Sequence, residues 1–379
     1  MPKALPSQFD HYLADDGPAA LVIREPLMPV EGVDGVLFPS TFASGDGFTG
    51  GYNINHHGEE KDGRNVCLID SVGSQANRIE PLFMRDRYKK LVPQVVIKAG
   101  EHEVNLLEAG HRAGDALVRC SSLQEEFQSA FKRLIAGDAE PLAKAAPTSL
   151  IFGVWDSRDT QAKLPRLVGS TIRAFNVRRL TRGAVYVPPL DYAALDVFSE
   201  EDKGKAEGNS KSPLAQRGFV HNPASGSHGG VIADGGIRRD ATLGLAALRH
   251  LHAGKDAEKT LKLRRYILGL SLVAFTAPTE SYLRQGCTLV LNSDAPRDFV
   301  EVYSDGKRLP CDISHDAALE FATQAAEAFG VGKSREVPFE KERAKRDVTD
   351  EGKGKGKVKK AKGGNKKADE SADAAESNG

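Results

Sequence analysis

A short strand-like run, Asn65–Asp70 (NVCLID), with four consecutive apolar residues at its centre, feeds straight into a stretch whose apolar residues, Val72, Ala76, Ile79 and Phe83, recur at helical spacing. That succession of buried strand and amphipathic helix calls for a mixed fold, with Pro81 placed to kink or end the helix. Two strand-like runs at residues 93–99 and 103–109 flank Gly100 and predict a hairpin. Ser122 opens an S-x-x-E capping box with Glu125, and Leu123, Phe127, Phe131 and Leu134 line the apolar side of a helix that Gly137 stops. Further strands are expected at 149–155, 171–177, 288–291 and 299–303, with helices at 243–251, 258–277 and 317–329. Strand, helix, strand pair and helix in this order suit an α+β layer fold of ferredoxin-like or RRM type. Periodicity alone leaves other α+β topologies open.

Charge is balanced, with 52 Lys plus Arg against 52 Asp plus Glu in 379 residues, so a generally basic nucleic-acid coat is excluded and any basic surface must be local. Residues 352–367 hold eight Lys and no acid, and residues 368–379 hold four acids and no base. Such sequence cannot repay its ordering entropy, so 344–379 reads as a disordered tail and 1–343 as the folded body. Residues 198–218 (with SEEDKGKAEGNSKSPLAQRG) read as a flexible polar loop inserted into structured sequence. The longest apolar run, 266–277, falls well short of the roughly 20 residues of a membrane span. With an N-terminus lacking an apolar leader, the expected location is cytoplasmic. Cys67, Cys120, Cys287 and Cys311 are widely spaced, without C-x-x-C, and read as reduced core cysteines.

Three segments carry candidate chemistry. In residues 67–81 (CLIDSVGSQANRIEP) the helix after the strand starts with small residues that leave its first N–H groups accessible to a phosphate. Ser74, Asn77 and Arg78 share one helix face, which serves either a nucleic-acid backbone or plain solvent. Residues 155–179 are locally basic, with Arg158, Lys163, Arg166 and Arg173 against only Asp156 and Asp159, and Trp155 is positioned either to stack on a base or to fill the core. The glycine-rich run 225–239 (SGSHGGVIADGGIRR), with Arg238 and Arg239, reads as an anion cradle or simply as a hairpin turn. Enzyme signatures fail on context. GVGKS at 330–334 follows an Ala-rich helix rather than a strand, the paired histidines lack metal-site spacing, and no G-x-S-x-G occurs, so neither a cofactor nor a metal is expected.

Taken together, LFPSTFA (37–43), YNI (52–54), CLIDSVGSQANRIEP, HRAGDAL (111–117), SLIFGVWDSR (149–158), KLPRLVGSTIRAFNV (163–177) and LRQGCTLV (283–290) resemble the backbone subunit of the type I-G (formerly I-U) CRISPR effector complex. The resemblance implies a RAMP-superfamily member: a modified RRM-like palm with inserted finger and thumb elements, the thumb supplied by 199–218 or the glycine-rich run after it. It implies a noncatalytic scaffold that polymerises as a helical filament on guide RNA, joins other effector subunits and meets target DNA through the guide. RNA contact is then expected at Ser71, Ser74, Gln75, Asn77 and Arg78, with Arg158, Lys163, Arg166, Arg173, Arg238 and Arg239 added for their charge. The alternative is a metal-dependent endoribonuclease backbone, as in type III complexes, with Asp46 in the loop SGDGFTGG as its nearest candidate acid.

Overall fold

Strict alternation governs the architecture. A computed structural model of the chain describes residues 8–349 apart from 46, 59–63 and 279, so Asp46 and the basic and acidic end blocks lie outside the described residues. Strand β1 (Ala20–Pro29) buries every second side chain, Leu21, Ile23, Glu25 and Leu27 among them. The same period-2 pattern runs through β3 (Val168–Phe175) and β6 (Ile237–Gly244), as expected of strands packed on one face only.

These strands join β2 (Asn65–Asp70) in one antiparallel sheet ordered β2-β3-β6-β1. The free edge of β1 is shared by two later strands: β7 (Cys287–Leu291) pairs with Leu27–Pro29 and β8 (Asp298–Val302) with Ala20–Arg24. Helix α1 (Val72–Ile79) follows β2, and α2 (Ala257–Thr276) lies between β6 and β7. Between β3 and β6 the chain leaves the sheet as a long two-stranded arm, β4 (Val177–Tyr186) with β5 (Asn222–Ala233). A separate three-stranded sheet contains the expected hairpin, Val95–Ala99 with His102–Asn105, beside Arg335–Pro338.

Helix α2 is buried on nearly all sides, which is why its sequence is apolar from Tyr266 onward; among the described residues no helix is long and apolar enough to cross a membrane. It packs closely on α3 (His315–Phe329) at Gly269, where a Cβ would fall 2.7 Å from Ala322 Cα. Gly269→Ala therefore sets a propensity gain of about 1 kcal/mol against an overpacking cost of about 1–3 kcal/mol that backbone cannot relieve. A net loss of stability is expected in urea unfolding. Gly204→Ala, in a helix with open space around it, should instead gain stability.

Several sequence expectations need correction. Residues 149–155 are a buried helix, Thr148–Phe152, followed by a two-residue strand; a short apolar run buried on every side carries no period by which to tell the two apart. The capping box does not form, because the helix Gln124–Ile135 has Leu123 at its N-cap while Ser121 Oγ accepts from Leu123 N–H at 3.2 Å. Strand β6 runs to Gly244 before a single turn, Leu245–Leu248, replaces the expected helix at 243–251. The polar segment 198–218 holds two short helices, Glu200–Ala206 and Pro213–Gln216, capped by Ser199 and Ser212 and pinned by a small cluster of Ala206, Ala215 and Val220. Residues 344–349, assigned to the tail by composition, continue a helix that begins at 341, tied down by Arg119 to Asp347 at 3.3 Å.

Candidate nucleic-acid interface

The sheet is covered by helices on one face. On the other, none of the residues contributed by β1, β2, β3 and β6 is buried. Here the alternation displays Arg24, Thr171, Arg173, Phe175, Arg238, Asp240 and Thr242. Register sets Asp240 beside Arg24 on β1 and Thr171 on β3, with Arg238 beside Arg173 one pleat away. Three guanidiniums converge on one carboxylate: Arg238 donates to Asp240 at 2.8 and 3.1 Å, and Arg24 and Arg173 each approach it to 3.8 Å. Two positive charges remain in excess. Arg238 also lies 4.8 Å above the Phe175 ring, so the patch offers cations beside an aromatic face.

Arg239, its sequence neighbour, points the opposite way and is buried against Glu25 at 2.7 Å. The glycine-rich run before it forms β5 and the turn into β6 rather than an anion cradle. A Cβ on Gly230 would meet Leu37 O at 2.7 Å, so glycine there serves close backbone packing.

Helix α1 divides its polar residues. Ser71 caps the helix, accepting from Ser74 N–H at 3.2 Å, and Ser74 Oγ donates to Asp70 at 2.9 Å. Gln75 is buried, donating to Asp70 at 2.7 Å and accepting from Ser170 at 2.9 Å. Arg78 donates to Asp70 at 3.2 Å and to Leu283 O at 2.7 Å. Asn77 turns the other way, accepting from Arg112 at 3.4 Å. The donors expected to present themselves to a nucleic acid are therefore largely spent inside the protein. Asp70 is the reason, and β2 delivers it to the spot.

The second segment builds a cleft of about 640 Å3 whose walls include His111, Arg119, Trp155, Arg158, Lys163 and Arg166. Trp155 is 55% exposed rather than core, with Lys163 Nζ 5.4 Å from its ring centre. Gly153, at φ +79°, ends the helix Thr148–Phe152 and lets the chain pass against the stem of Arg166. Behind the cleft Arg112 is buried in an ion pair with Glu80 at 2.6 Å, itself held at φ +52°. Burial raises the Glu80 carboxyl to about 7, against the opposing pull of Arg112 and Thr148.

The first turn of α1 joins the cleft to the sheet. A Cβ on Gly73 would lie 4.0 Å from Arg166 Nη2, and one on Gly169 of β3 would lie 3.7 Å from Val72. Residues 21–179, the stretch from β1 through α1 and the cleft into the base of the arm, match the family model described as CRISPR-associated protein GSU0053. The match supports a role in a CRISPR system. No curated protein matches the chain. Within the matched stretch lie Arg24, Arg173, Trp155 and Arg166, whereas Arg238, Phe175's cation partner, comes from outside it.

Of the residues named from sequence, Arg158, Lys163 and Arg166 share the cleft, Arg173 and Arg238 share the open face, and Gln75, Arg78 and Arg239 sit on the helix side of the sheet. Sequence reasoning missed Arg24, although the alternation in ALVIREPLMP separates it from Ile23 and marks it as outward-facing.

Proposed function

We propose that the chain is a noncatalytic, guide-RNA-binding backbone subunit of a type I-G CRISPR effector complex, the RNA running from the Trp155 cleft past the first turn of α1 onto the open sheet face. The observation that carries this reading is the set of three guanidiniums around a single carboxylate, in a chain whose overall charge is zero. Phosphates are the natural complement of such a patch, and the aromatic faces of Phe175 and Trp155 offer stacking without base selectivity. Sequence discrimination then belongs to pairing between guide and target DNA.

Two features of the fold support the reading. The order β8-β1-β6-β3, with helix-bearing connections from β1 to β3 and from β6 to β8, is compatible with a split βαβ palm. The projecting arm, with exposed Val185, Tyr186 and Val187 near the far end of its ladder, suits the thumb: residues 199–218 lie between its two strands, and the first part of the glycine-rich run lies in its second strand. In this reading copies of the chain line up along one RNA alongside the other effector subunits.

Trp155 is the chain's single tryptophan, so its fluorescence reports on the cleft alone. Titration with single-stranded RNA should quench it. Trp155→Ala should weaken binding about tenfold, from a stacking contribution of about 1–3 kcal/mol. An emission that RNA leaves unchanged, with unaltered affinity of the variant, removes the cleft from the path.

A further inference from the structure

The helix side of the sheet carries a polar seam that the RNA path leaves unused. Asp70, fully buried, takes Arg78 at 3.2 Å and Arg284 at 2.9 Å. Glu25, nearly as buried, takes Arg239 at 2.7 Å and Arg297 at 3.2 Å. Four guanidiniums share two carboxylates, and only Arg297 is exposed enough for water to screen it well. An excess of positive charge in so dry a place is costly unless an anion completes it.

A pocket of about 270 Å3 opens onto this seam between α1 and the C-terminal end of α2. Gln75, Arg78 and Arg239 line it, together with the exposed guanidinium of Arg85. Tyr88 and Ile79 add an apolar wall, and Glu280 is the single acid among the lining residues. Guanidinium forks match phosphate oxygens in pairs, and the volume lies at the small end of ligand sites, suiting one nucleotide rather than a strand.

We propose that this pocket binds a nucleoside monophosphate, its phosphate against Arg78, Arg85 and Arg239 and its apolar part on Tyr88 and Ile79. The site is independent of the RNA path, since Arg239 and Arg238 point to opposite faces of the sheet.

Isothermal titration of the full chain with adenosine monophosphate, inorganic phosphate and adenosine tests it. The monophosphate should bind most tightly, phosphate less tightly, and adenosine not detectably. Arg85→Gln, at an exposed position, should weaken the monophosphate about tenfold, and Glu280→Gln should tighten it about threefold. Neither should alter the affinity for a single-stranded RNA without terminal phosphate. A 5′-phosphorylated dinucleotide separates two sources: equal binding points to the end of an RNA chain, exclusion to a free nucleotide, and either keeps the site. Adenosine binding as well as its monophosphate, no binding of the monophosphate, or an Arg85→Gln variant that binds like the parent overturns the proposal.

Discussion

Arg24→Gln, Arg173→Gln and Arg238→Gln combined should lower the affinity for single-stranded RNA by about a hundredfold or more, since a hydrogen bond to a charged group contributes about 1.5–3 kcal/mol. The side chains are 48, 40 and 31% exposed, so their loss removes contact surface without opening the core. The plot of log affinity against log salt should also flatten by about two units, at about 0.7 per phosphate contact. Asp240→Asn is the control of opposite sign. It deletes the one acid among the three arginines and should tighten binding. A triple variant that keeps the parental affinity and salt slope would show that the sheet face does not hold RNA.

The second large effect concerns stability. Asp70 is fully buried and accepts from Ser74, Gln75, Arg78 and Arg284, tying β2 and α1 to a residue 214 positions away. Asp70→Ala leaves two guanidiniums without their carboxylate in a dry site, a change that costs about 3–5 kcal/mol. Urea unfolding should register a loss of that order, with Asp70→Asn falling between the variant and the parent because the amide oxygen still accepts. A loss of under about 1 kcal/mol would mean that the seam is better hydrated than its burial implies.

The same residue explains what sequence could and could not reveal. Spacing put Ser74, Asn77 and Arg78 on one side of α1; Ser74 and Arg78 do meet at Asp70, but Asn77 turns to Arg112, and spacing is blind to whether a side meets solvent or a buried carboxylate. Arg284 reaches the same carboxylate from the far end of the chain, and no local pattern announces such a contact. Arg238 and Arg239 read as one basic pair, yet strand alternation sends one to the open face and the other to Glu25. Applied to DGGIRRDATLG, the period of 2 separates them, and in ALVIREPLMP it exposes Arg24. The mixed α+β class was legible because NVCLID and the amphipathic stretch after it have different periods. The sheet order was not, since it depends on pairings between segments distant in sequence, such as β1 with β6, where Leu27 meets Ile237. Trp155 shows the limit of composition: a single tryptophan at a strand end suggests core, but the two-residue strand it closes lies at the rim of a cleft.

The location of bound RNA on the protein is the claim on which the account turns. Photo-crosslinking of single-stranded RNA carrying 4-thiouridine to the full chain, followed by identification of the modified peptides, addresses it directly. The account predicts crosslinks at Trp155 and Phe175 and in the peptides that carry Arg166 and Arg238. Crosslinks confined to the Lys-rich block at 352–367, or to the helix side of the sheet, would contradict it.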